Sequence, residues 1–108
     1  MLSGYKIMWM YVMFDLPVGT KQQRTEATKF RNELLNYGFK MAQFSIYAKF
    51  FSGKEVIERV CKDIEPNIPK GGNVDILCFT DKQYENIIRY EKKIETNQQK
   101  KKSQLTLF

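Results

Sequence analysis

The sequence predicts an α+β domain with the element order β-α-β-β-α-β, and three observations predict it. Two short apolar runs bounded by turn residues read as strands, two amphipathic stretches preceded by capping-box spellings read as helices, and an aromatic, alternating segment between the helices reads as a strand pair. In order, residues 8–16 are a run of large apolar residues closed by Asp15-Leu16-Pro17, too short for a helix and rich in strand formers. Thr20-Lys21-Gln22-Gln23 matches a capping box, in which the Thr20 hydroxyl and the Gln23 amide serve the free amides of a first turn. Ala27, Phe30, Leu34, Leu35 and Tyr37 follow at helical spacing, and Gly38 supplies the left-handed residue that ends such a helix. Residues 39–51 alternate, and their length predicts a break near Phe44-Ser45 into two strands. Ser52-Gly53-Lys54-Glu55 is read as a second capping box, with Val56, Ile57, Val60, Cys61 and Ile64 as the helix stripe and Pro66 and Pro69 as its end. After the Gly71-Gly72 turn, residues 74–80 form a last buried-looking strand, residues 81–86 a helical turn and residues 87–91 an extended piece. This order is the ferredoxin-like sandwich, with both helices on one sheet face.

A length of 108 residues and a hydrophobic content of 43% fit one compact domain. The net charge of +6 is unevenly placed: residues 1–91 carry 13 basic and 11 acidic side chains, residues 92–108 five and one. The chain therefore divides into a folded domain over 1–91 and a basic linker with an extra C-terminal strand over 92–108. Its charge permits a polyanion partner without identifying one. Cys61 and Cys78 stand alone among apolar residues, which fits reduced core positions in a cytoplasmic protein better than a disulfide or metal knot. The apolar run at 8–14 is too short for a signal peptide, and no run approaches the ~20 residues of a membrane span, so no membrane association is expected.

The first strand is apolar on both faces: Met10, Val12 and Phe14 point one way, Tyr11 and Met13 the other. Residues 74–79 behave alike, with Asp75 the only charge. An open sheet face this apolar is an interaction surface, and two copies packed sheet against sheet are the simplest way to cover it.

Three segments resemble the CRISPR-associated protein 2 family. Phe14-Asp15-Leu16-Pro17 is similar to that family's aromatic-Asp-hydrophobic end of strand one, where Phe14 stands in a place the family often gives to tyrosine. Gln43-Phe44-Ser45-Ile46-Tyr47 resembles its glutamine–x–serine–aliphatic–aromatic segment. Gly72-Asn73-Val74-Asp75-Ile76-Leu77 with Thr80-Asp81-Lys82-Gln83-Tyr84 resembles its last core strand and short helical turn. Spacing agrees over residues 8–90, and the first segment together with Lys29-Phe30-Arg31 looks most like members from type II systems. The resemblance implies a CRISPR adaptation subunit: a homodimer that bridges two dimers of the CRISPR integrase and positions double-stranded prespacer DNA for insertion into the repeat array. The alternative it implies is a magnesium-dependent endonuclease acting on RNA or DNA.

The chemistry available is narrow. Histidine is absent, and no Walker sequence, dinucleotide fingerprint or zinc spacing is present. Hydrolysis would rest on carboxylates and a metal, with Asp15 the candidate catalytic and metal-binding residue. Facing its twofold mate across a dimer axis, it can share one Mg2+ and activate a bound water. The structural alternative is that Asp15 ends the strand and accepts hydrogen bonds from amides of the following turn. Lys21 and Arg24 in the first turn of helix one, with Lys29 and Arg31 further along, are the candidate nucleic-acid contacts, or else a solvated helix face.

The polar stretch at 96–103 gives way to Gln104-Leu105-Thr106-Leu107-Phe108. One reading is a strand that adds to a sheet edge of the partner protomer or integrase, with Leu105, Leu107 and Phe108 as partner-binding side chains. The other is a resemblance to the glutamine–leucine–x–leucine–phenylalanine peptides that bind the bacterial sliding clamp.

Overall fold

The computed structural model describes residues 8–94. The elements are β1 (Met8–Asp15), α1 (Lys21–Asn36), β2 (Lys40–Gln43), β3 (Ile46–Phe51), α2 (Lys54–Ile64), β4 (Asn73–Thr80) and α3 (Asp81–Glu85). The four strands form one antiparallel sheet in the order β2-β3-β1-β4, the ferredoxin-like topology that the element order predicts. β1 lies centrally, paired with β3 on one side and along its full length with β4 on the other. An extra C-terminal strand at 104–108 lies outside the described residues, and residues 87–94 are exposed and belong to no strand.

The core follows from parity. Met8, Met10, Val12 and Phe14 of β1 are buried, and Phe39, Tyr47 and Phe51 extend the same layer. Ala27, Phe30 and Leu34 of α1 and Ile57, Val60 and Ile64 of α2 complete the buried set. Phe14 meets Phe30 edge-on at 5.4 Å and stacks on Tyr47 at 5.5 Å, so strand, helix and neighbouring strand converge on one ring. Leu35 and Tyr37, read as part of the α1 stripe, are instead exposed. Each sits about 100° or more around the helix from the Ala27–Phe30–Leu34 centre line or beyond its last turn.

Helix ends explain the loops. The Thr20 capping box is formed: the Gln23 amide donates to Thr20 Oγ1 at 3.1 Å, and the Thr20 amide to Gln23 Oε1 at 3.0 Å. α1 stops at Gly38, which takes φ 94°, and Lys49 Nζ donates to the Tyr37 carbonyl at 3.0 Å, a cation placed at a helix C-terminus. The second capping box is corrected: α2 begins one residue later, with Gly53 as its N-cap and no side-chain cap, so Ser52 lies outside the helix. An unread box with the same Thr-x-x-Gln spelling starts α3, where the Gln83 amide donates to Thr80 Oγ1 and the Thr80 amide to Gln83 Oε1. The Phe44-Ser45 break is a tight turn with Ser45 in the left-handed region at φ 63°. At Gly72 a Cβ would lie 2.7 Å from Leu16 Cδ2 and 3.0 Å from the Pro69 carbonyl; this close approach sets the start of β4 against the end of β1.

Candidate functional site

The face of the sheet turned away from α1 and α2 carries the other parity of the same strands. Trp9, Tyr11 and Met13 of β1 are half-buried, with Phe50 and Ala48 of β3 and Phe79 and Leu77 of β4 opposite them in register. Phe50 and Leu77 are 57% and 44% exposed, so this face is left apolar and uncovered over much of its area by the described residues.

One end of the face is roofed by α3. Tyr84 stacks on Trp9 with ring centroids 3.7 Å apart and planes 10° apart, and Trp9 Nε1 donates to Asp81 Oδ1 at 2.9 Å. Phe79 and Tyr11 pack edge-on at 5.0 Å beneath the same tyrosine. Beside this cluster a groove of about 450 Å³ is lined by Met41, Phe50 and the cations Lys40 and Arg89. Sequence reasoning missed the cluster. Its signals were the odd-numbered parity that Trp9 shares with Tyr11 and Met13, and the Thr80 capping box that starts α3.

The opposite end carries the carboxylates. Asp15 closes the Trp9–Tyr11–Met13 row, exposed, and faces Asn73 across the β1–β4 ladder. Asp75 pairs with Met13, which makes it the diagonal neighbour of Asp15, at about 7 Å between Cβ atoms in ordinary sheet geometry. Both line a shallow cleft of about 300 Å³ with Met13, Ile46 and the exposed Phe44. The Phe14 amide donates to the Ser45 carbonyl at 3.1 Å, fixing the turn beside the aspartate. No turn amide donates to the Asp15 carboxylate among the described residues. That leaves an acceptor-only, solvent-facing oxygen pair, the donor type a hard divalent cation selects. No group of three or more metal-ligating side chains occurs among the described residues, and Asp15 and Asp75 are the two carboxylates that line this cleft. Two carboxylates match magnesium in donor type but do not by themselves fill its coordination sphere.

The four basic residues separate. Lys21 and Arg24 lie on the first turn of α1, one turn apart and next to the loop that leaves Asp15; Arg24 Nη1 donates to the Val18 carbonyl at 3.1 Å and so braces that loop. Arg31 lies two turns beyond Arg24 on the same flank, half-buried. Lys29 is roughly 140–160° around the helix from both, in a groove with Glu26, Glu33 and the loop at Lys70. The structure therefore brings Arg24 and Arg31 to one flank, sets Lys29 among acids on the other, and leaves Lys21 between them at the start of the helix. Leu105, Leu107 and Phe108 lie outside the described residues.

Burial pushes the Cys78 thiol above its ordinary pKa, with the nearby Cys61 thiol a second cause; Cys61 is raised by burial and by Glu58. Both cysteines are free, half-buried and packed against the core. No helix of the described residues is long and apolar enough to cross a membrane.

These features define a class: a small ferredoxin-like α+β domain with one sheet face filled by its own helices, the other left apolar, and a carboxylate at the open face's edge. Comparison narrows the class. The family model for CRISPR associated protein Cas2 matches residues 8–87. A CRISPR-associated endoribonuclease Cas2 of Paracidovorax avenae is 48% identical over 108 residues, covering all of both chains. Proteins of the same name from Flavobacterium psychrophilum and Parvibaculum lavamentivorans are each 37% identical, covering 99% and 94% of this chain and 93% and 100% of their own. The chain belongs to the CRISPR-associated Cas2 family.

Proposed function

We propose that this chain is a structural subunit of CRISPR adaptation: a homodimer, packed through its open sheet faces, that bridges two integrase dimers and holds double-stranded prespacer DNA for insertion into the repeat array. The observation that carries this reading is the uncovered face. A four-stranded sheet whose helix side is already complete still offers Tyr11, Met13, Phe50 and Leu77 to a partner, and a second copy supplies a self-complementary match. Pairing two copies doubles the Arg24–Arg31 flank with Lys21 at its edge, and phosphate contacts by such side chains position a duplex without reading its sequence. The working compartment on this reading is the cytoplasm, where the two free thiols stay reduced.

A second reading, a metal-dependent endonuclease, is favoured by the endoribonuclease name that the relatives carry and by the unengaged Asp15 carboxylate. Asp15 from each protomer, with Asp75 behind it, would hold magnesium, which when bound would supply charge neutralisation at a phosphate and a more acidic water. Asp15 orients and holds; Phe14 behind it is buried and apolar and supplies no proton.

Asp15→Ala separates the two. Reconstituted with the integrase, the variant is expected to support spacer integration at close to the wild-type level, because positioning depends on the dimer and its cations. Loss of integration by a folded, dimeric Asp15→Ala protein would overturn the structural reading. Magnesium-dependent cleavage that disappears only in that variant would establish the nuclease.

A further inference from the structure

The groove of about 450 Å³ beside the Trp9–Tyr84 stack joins aromatic rings to cations, and no carboxylate lines it. Strand register explains its shape. Phe50 lies opposite Trp9 across the β1–β3 ladder, with ring centroids 5.3 Å apart, and Ala48, on the same face of β3, lies opposite Lys40 of β2. Ala48 offers only a methyl group, so the floor between these longer side chains is low. The Phe50 ring keeps 57% of its surface exposed. Arg89 reaches the groove from the segment after α3. Lys40 and Arg89 are both exposed, and neither is in an ion pair among the described residues.

This lining selects a ligand. An apolar peptide would leave the two charges unmatched, and a simple inorganic anion would leave the rings unused. What matches both is flat, aromatic and anionic: ring faces accept a nucleobase by stacking, and lysine and arginine hold its phosphate. No Asn or Gln lines the groove, and Trp9 Nε1 is engaged with Asp81, so little is left to read a base edge. The volume falls within the ~300–1,000 Å³ of small-ligand sites. Phe50 borders both this groove and the face proposed for a second copy, but Tyr11, Met13 and Leu77 lie outside the groove. A copy seated over β1 and β4 therefore leaves the Lys40 side, on the β2 edge, open.

We propose that this groove binds one nucleotide unit, its base stacked on Phe50 and its phosphate held by Lys40 and Arg89, with little preference among bases. The unit comes either free, as a nucleoside monophosphate, or from an unpaired strand. The site lies at the opposite end of the face from Asp15 and uses none of the α1 cations. It goes beyond the adaptation role and holds whether the domain is a scaffold or a nuclease.

Trp9 lines the groove and is the sole tryptophan, so its emission reports occupancy directly. The full chain is titrated with thymidine 5′-monophosphate, with a short oligothymidylate and with a blunt duplex. The same titrations use Lys40→Ala/Arg89→Ala, changed at two exposed positions, and Phe50→Leu, which stays apolar but loses the ring. The expected result is saturable quenching by the monophosphate or the single strand and none by the duplex. Affinity should fall at least about fivefold in each variant, the low end of what one base-stacking contact supplies. Tighter binding of the oligothymidylate would assign the site to unpaired strands, and equal affinities to the free nucleotide. Quenching by neither probe, equal quenching by the duplex, or full affinity in either variant would overturn the proposal. So would emission that changes with protein concentration and not with nucleotide, which would give the groove to a second copy.

Discussion

The two faces of this sheet are made from the same strands and nearly the same residue types, yet they end in different states. On the helix side Met8, Met10 and Val12 are fully buried and Phe14 nearly so; on the other side Trp9, Tyr11 and Met13, their immediate neighbours, are only half-covered. Alternation delivers an apolar residue to both faces at every step, but α1 and α2 return over one face only. The five-residue α3 roofs just the Trp9 end of the second. Composition alone therefore does not say which face is core. The crossover helices decide it, and the other face is left uncovered by the described residues.

The contrast is broken most strongly from the covered side. Phe30→Ala removes a ring that is 1% exposed and packed edge-on against Phe14. It should cost about 3–5 kcal/mol, a large share of the 5–15 kcal/mol typical of such domains, read as a fall in urea midpoint. A smaller effect is expected where α3 meets the open face. Asp81→Ala removes the acceptor of Trp9 Nε1 and should lower stability by about 1 kcal/mol. Because Trp9 is the sole tryptophan, its fluorescence should shift to the red as α3 loosens, while Asp81→Asn should keep most of the wild-type spectrum. An unchanged spectrum in Asp81→Ala would show that the Tyr84 stack alone holds the roof.

The smallest effect sharpens the boundary between the faces. Cys78 lies on the helix side of β4, and Cys61 comes from α2. Burial raises both thiol pKa values, so the folded state keeps protons that the unfolded chain gives up. The stability this contributes is complete below the ordinary thiol range of about 8.5 and is lost as pH rises through the raised values. Thermal midpoints between pH 8 and 9.5 should fall more steeply for wild type than for Cys61→Val/Cys78→Val, and equal slopes would deny the thiols this role.

What was legible in the sequence is what depends on local period and local spelling. The element order, the Thr20 cap, the turn at Phe44-Ser45 and the two-faced character of β1 all follow from residues within a few positions of one another. What was not legible depends on register between distant segments. Trp9 and Asp81 are 72 residues apart, and only the β1–β4 pairing brings them within hydrogen-bonding distance. The same register sets Asp75 diagonally beside Asp15, a neighbour that the strand pattern records only as the one charge in an apolar run. The separation of Lys29 from Arg24 and Arg31 is a different case: helical period already contained it, and grouping the cations by sequence distance obscured it. At Ser52 the capping spelling was present, but the helix starts at Lys54, one residue too late to use it.

The central claim is that the open face is a dimer interface, and sedimentation equilibrium of the full chain at micromolar concentration tests it most directly. Leu77→Lys serves as the second sample. Leu77 is 44% exposed, faces Tyr11 and has Asp75 two residues away on the same face, so a lysine there is tolerated by a monomer and penalised when buried against a second copy. The wild type should sediment at twice the chain mass, and Leu77→Lys at or near the monomer mass with an unchanged far-ultraviolet circular dichroism spectrum. A wild type that is monomeric at that concentration, or a Leu77→Lys protein that stays fully dimeric, would contradict the claim.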